Sequence, residues 1–113
     1  MFTDFFRASV ILGTKPPYGQ WSDEILAARM AQGDVSALEA LYDRHSAIVL
    51  GIALKVTGNR ARAEDVLQET FWHAWQNAST YSSQHGSFTS WLFRMARSFA
   101  RDVERKVTST RDR

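Results

Sequence analysis

The stretch NRARAEDVLQETFWHAWQ, residues 59–76, decides the fold. Asn59 is a good helix cap, and the apolar residues Ala63, Val66, Leu67, Phe71, Ala74 and Trp75 follow at spacings of three and four. That repeat marks one buried face of a helix, and no period-two alternation competes with it. The opposite side carries Asp65, Gln68, Glu69, Trp72 and Gln76 at i, i+3, i+4, i+7 and i+11, a second stripe on the same rod. An indole set among carboxylates and amides is typical of a protein–protein contact. A solvated charged face, with Trp72 partly covered by a neighbouring helix, would give the same pattern.

Upstream, Gly58 stops a helix that Asp34 can cap, with Val35, Leu38, Leu41/Tyr42, Val49, Ile52 and Val56 along one face. Ser22 can cap a shorter helix over residues 23–32, with Asp23 and Glu24 favourable in its first turn and Gly33 ending it. His45 falls on the apolar stripe of the second helix and reads as a satisfied, half-buried histidine. Downstream, residues 77–87 are polar and lack a helical pattern. A last helix is expected from Phe88 to about Val107, with Phe88, Trp91/Leu92, Met95, Phe99 and Val103 inward. The sequence therefore predicts an all-α domain over residues 22–107, three long helices plus a short N-terminal one. Residues 1–21 form an N-terminal arm, either an amphipathic segment that docks or a loose tail ending at Pro16-Pro17, and residues 108–113 a frayed tail or the start of a linker.

Composition narrows the function. With 113 residues, 44% hydrophobic and 23% charged, the chain suits one globular domain. It has no cysteine, which removes disulfides, thiol nucleophiles and zinc ribbons and fits a reducing compartment. Its three histidines form no HxxH or HExxH pair, and the carboxylates Glu64/Asp65 and Asp102/Glu104 lack a histidine, lysine or nucleophile at matching spacing. No catalytic residue, metal or cofactor is expected. No run approaches the roughly 20 apolar residues of a membrane span, and the N-terminal apolar run is too short for a signal peptide core, so a cytoplasmic protein is expected.

The net charge of +2 is unevenly distributed. Residues 1–85 carry seven Lys/Arg against nine Asp/Glu, whereas residues 86–113 carry seven against three. An acidic middle and a basic end suggest two surfaces for two partners. On the last helix Arg94, Arg97, Arg101 and Arg105 recur at i, i+3, i+7 and i+11, with Ser98 alongside and Lys106 adjacent. Such a ridge of forked donors suits phosphates and base edges; a soluble face balanced by Asp102 and Glu104 is the plainer account. The preceding loop offers Tyr81, Ser83, Gln84, His85 and Ser87, with Gly86 permitting a tight turn. An aromatic ring with hydroxyls and amides beside arginines can hold an unstacked base, although any polar loop has this composition.

Two motifs carry a family resemblance. AEDVLQETF at 63–71, continued by Ala74-Trp75, resembles the second conserved region of extracytoplasmic-function sigma factors of RNA polymerase. GSFTSWL at 86–92, followed by Met95-Ala96-Arg97, Asp102 and Arg105-Lys106, is similar to the promoter-reading segment of that family, and Ala37-Leu38 with Leu41 to Arg44 to its first helix pair. The resemblance covers about residues 23–107 and implies a sigma region 2-like helical bundle without enzymatic activity. It implies that Asp65, Gln68 and Glu69, extended by Trp72, bind the clamp helices of the largest subunit of core RNA polymerase. The DNA-binding residues would be Tyr81, Ser83, Gln84, His85, Ser87, Trp91, Arg94, Arg97, Ser98, Arg101 and Arg105, engaging the non-template strand of the promoter −10 element, with a flipped base in a pocket of the 77–87 loop. An anti-sigma factor is a further implied partner.

Two positions depart from the family, which usually has Asn at Ser98 and an aliphatic residue at Arg101. The family also carries a second helical domain that reads the −35 element, and this chain ends where the linker to it would begin, as a fragment or a naturally truncated protein would. The function expected is that of an alternative sigma factor domain that recognises and melts the −10 element. The alternative is a sigma-like decoy that sequesters an anti-sigma factor without directing transcription.

Overall fold

A computed structural model describes residues 18–111, and among these all regular structure is helical. Four α-helices run in order: α1 Asp23–Ala31, α2 Val35–Thr57, α3 Arg60–Gln76 and α4 Phe88–Arg111. Short 3₁₀ turns occupy Tyr18–Gln20, Ala78–Thr80 and Ser83–His85. The caps are those expected from the sequence. Ser22 Oγ accepts from the Ile25 amide at 3.2 Å, Asp34 Oδ1 from Ser36 and Ala37 at 3.1 and 3.3 Å, and Asn59 Oδ1 from Arg62 at 2.9 Å. Each satisfies an amide that the first helical turn leaves without a partner. Gly58 ends α2 in the left-handed region, with φ of 60° and its amide donating to the Leu54 carbonyl.

The long α2 is the spine, packing on α1, α3 and α4, while α3 and α4 also pack on each other. Leu26, Met30, Leu41, Val49, Phe88 and Leu92 are fully buried in one cluster, and Ala53, Ala63, Val66 and Ala100 meet in a second. The buried row of α4 is Phe88, Leu92, Ala96 and Ala100, a strict i, i+4 series. Trp91, Met95, Phe99 and Val103, expected inward, flank this row and are half-buried, as is Trp75 on α3. Alanines sit at the centre because bulkier side chains there would hold the helices apart.

Two boundaries differ from the sequence reading. The helix expected to end near Val107 continues to Arg111, with Val107 half-buried and Thr110 Oγ1 donating back to the Lys106 carbonyl at 2.9 Å. Tyr18 to Trp21, grouped with the N-terminal arm, pack on the bundle; Tyr18 is buried and donates its hydroxyl to Asp34 Oδ2 at 2.9 Å. Burial and then the Asp34 carboxylate raise the Tyr18 phenol above its ordinary pKa. Arg29 lies 4.7 Å over the Trp21 ring and 3.3 Å from Asp34, fastening the same corner. The remainder of the arm, residues 1–17, and residues 112–113 lie outside the described residues.

Candidate nucleic-acid interface

α1 is held by its two acidic first-turn residues. Asp23 receives Arg44 on one oxygen at 3.0 Å and His45 on the other at 2.9 Å. His45 is therefore half-buried and partnered, as expected, with the rings of Phe88 and Phe93 about 6 Å away. Glu24 reaches further. Its Oε2 accepts from the Phe88 amide at 3.0 Å and lies 3.4 Å from the Tyr81 hydroxyl, so one carboxylate touches both the loop and the start of α4.

The loop between α3 and α4 is built on that anchor. Tyr81 packs edge-on to Phe88 at 5.7 Å and tilted against Trp91 at 5.4 Å, and its hydroxyl donates to the Gly86 carbonyl at 3.1 Å. Burial, and then the charge of Glu24, push the Tyr81 phenol above its ordinary pKa. Gly86, at φ 119° and ψ 179°, occupies backbone space that essentially only glycine enters. Ser87 Oγ then caps α4, accepting from the Ser90 amide at 3.1 Å. Ser83, Gln84 and Ser87 are exposed, and the His85 side chain lies outside the described residues.

Between this loop and α1 lies a pocket of about 280 Å³. Glu24, Ala27, Ala28 and Ala31 form its helical wall, and Ala78, Ser79, Tyr81, Ser82 and Ser83 its loop wall. The sequence singled out the loop side but missed α1, because Glu24 looked like an ordinary first-turn acid and the alanines like plain helix formers.

Beyond the pocket, α4 displays Arg94, Arg97, Arg101 and Arg105, all exposed, with Ser98 also exposed. Arg105 pairs with Asp102 on its own helix. Arg94, Arg97 and Arg101 form no ion pair among the described residues. Three forked cations left open along one rod make a strongly attractive track for polyanions. Trp91 instead serves largely in the aromatic cluster under the loop.

The outer face of α3 points elsewhere in character. Asp65, Gln68, Glu69 and Gln76 are exposed, and Trp72 is 51% exposed. Asp65 and Glu69 border a groove of about 450 Å³ that Phe99, Asp102, Val103 and Lys106 complete from α4. Arg60 pairs with Glu64 at 2.8 Å within α3, and Arg62 with Glu104 at 3.1 Å ties α3 to α4. Among the described residues no group of His, Cys, Asp or Glu is placed to hold a metal, and no helix is long and apolar enough to cross a membrane.

An acidic stripe with an exposed indole on one helix and an open arginine track on the next give the domain two exposed faces of opposite charge. Residues 41–110 match the Sigma-70 region 2 family, and the chain belongs to it. It is 39% identical over 77 residues to the ECF RNA polymerase sigma factor SigL of Mycobacterium tuberculosis, covering 68% of this chain and 44% of the relative. It is 33% identical over 83 residues to the ECF RNA polymerase sigma factor SigK of Mycobacterium bovis, covering 74% and 44%. The chain thus spans less than half the length of these curated relatives. No solved structure matches it significantly.

Proposed function

We propose that this domain docks on core RNA polymerase through the outer face of α3 and holds the opened −10 element of a promoter with α4 and the loop before it. Family membership and the relatives' names support the reading. The observation that carries it is the open arginine track, Arg94, Arg97 and Arg101, beginning less than two turns into the helix that follows the loop. The track draws in the phosphate backbone, and the pocket receives a base taken out of the stack, whose extraction costs a few kcal/mol. Acidic and amide side chains at Asp65, Gln68 and Glu69, with Trp72, suit a basic helical partner such as the polymerase clamp helices. The role is one of binding, performed in the cytoplasm beside polymerase, with an anti-sigma factor as a regulatory partner.

The test is binding of the chain to a clamp-helix fragment, comparing the unaltered protein with Asp65→Ala and Gln68→Ala. Weaker binding of both variants at unchanged helicity is the expected result. A well-folded chain that ignores the fragment would overturn the docking surface and favour a decoy that binds only an anti-sigma factor.

A further inference from the structure

We infer that Glu24 selects the base held between α1 and the 77–87 loop, favouring bases with an exocyclic amine over thymine. The inference rests on the DNA-holding reading above and adds a residue from α1 to it.

Glu24 is the one charged residue lining the pocket; its other lining residues are alanines, serines and Tyr81. A carboxylate there repels phosphate, so the pocket is suited to a neutral base edge rather than to backbone. Ionised Glu is acceptor-only, with room for about four hydrogen bonds on its two oxygens. Both contacts seen at Glu24, from the Phe88 amide at 3.0 Å and the Tyr81 hydroxyl at 3.4 Å, fall on Oε2. The Tyr81 proton is better placed for the Gly86 carbonyl at 3.1 Å, so the carboxylate is fixed in position and keeps acceptor capacity. Oε1 has no partner among the described residues.

Cytosine, adenine and guanine each present an amine that a carboxylate accepts, as Glu accepts from the cytosine N4 amine in duplex readout. Thymine turns carbonyl oxygens outward on either side of a single N–H, and those oxygens meet the carboxylate unfavourably. A site with a fixed acceptor penalises the partner that cannot fill it more than it rewards the one that can. Ser82 Oγ already accepts from the Gln84 amide at 3.3 Å, leaving its proton to donate to a ring nitrogen or carbonyl of the base.

The test is fluorescence anisotropy of labelled single-stranded −10 oligonucleotides, each position in turn carrying C, A, G, T or an abasic site. Binding is read for the full chain alone and with core polymerase. At one position, amine-bearing bases are expected to bind about tenfold tighter than thymine, and E24Q, whose amide both donates and accepts, should narrow that to about twofold. Two results would overturn the inference while leaving DNA binding intact: equal affinity for all four bases at every position, or undiminished discrimination in a folded E24Q. The comparison in the unaltered chain decides by itself should E24Q not fold. Failure to bind any oligonucleotide, with or without polymerase, would remove the DNA reading and this inference with it.

Discussion

Glu24 Oε2 accepts the backbone amide of Phe88 at 3.0 Å across 64 positions of sequence. The amide is one of those the first turn of α4 leaves without an intrahelical partner, and the acid also sits at the positive end of the helix dipole. An acid in the first turn of one helix thus helps to cap another. The same carboxylate faces Tyr81, so its effects can be followed through a phenol.

Tyr81 and Tyr18 are both expected to ionise above the ordinary tyrosine value of about 10, mainly through burial and secondarily through Glu24 and Asp34. Ultraviolet titration of Glu24→Ala should move the Tyr81 transition down, though not to the free value, because burial is the larger cause. The native chain holds these protons to higher pH than the unfolded one. Stability should therefore be unaffected by them below about pH 10 and fall as pH rises from there through the raised pKa values. A Tyr81 transition insensitive to Glu24→Ala would contradict the contact.

Gly86→Ala should destabilise the loop by about 1–3 kcal/mol, since φ of 119° with ψ near 180° is scarcely open to a residue with a side chain. There is open space around the missing Cβ, so the cost is one of backbone conformation. Chemical denaturation measures it, and a neutral result would mean that the loop adopts another path.

Arg97→Ala and Arg101→Ala should each weaken single-stranded DNA binding and lower the salt slope by roughly one. Arg105→Ala should do less, because Asp102 already partly neutralises that guanidinium. Salt titrations of the three variants beside the unaltered chain rank them; slopes left unchanged by Arg97→Ala and Arg101→Ala would remove these arginines from the DNA surface.

Trp72→Ala should change folding stability by no more than about 0.5 kcal/mol, as an exposed substitution. Its binding to the clamp-helix fragment should fall by about 2 kcal/mol, the loss typical of a hot-spot aromatic. Unaltered affinity would limit the contact to Asp65, Gln68 and Glu69.

Much of this architecture was legible in the residues. Ser22, Asp34, Gly58 and Asn59 announce helix ends because capping is local chemistry, decided within about four residues of chain. The outer stripe of α3 and the arginine ridge of α4 follow from helical spacing alone, and both are exposed in the structure. Tertiary choices were less visible. Ala96 and Ala100, not the larger Met95 and Phe99, occupy the centre of the α4 contact, because close approach of helices rewards small side chains that hydropathy ranks low. Glu24 gave no sign of its bonds to Phe88 and Tyr81, since those partners lie 64 and 57 positions away. Tyr18 looked like part of a tail until its hydroxyl was found on the Asp34 cap.

The bond between Glu24 and Phe88 also bears on the order in which the molecule assembles. α2 and α3 are joined by only Gly58 and Asn59, so this helical hairpin closes a short loop at little entropic cost and can form early. The pocket requires α1 to meet the loop before α4, and the Glu24–Phe88 bond requires it to meet the start of α4, both over a far longer separation. Phi values near zero at Glu24 and higher values at Ala63 are the corresponding kinetic expectation. A chain still emerging from the ribosome would then display the α3 face before the pocket beside α1 exists. The step that completes the pocket would wait until α4 has been synthesised.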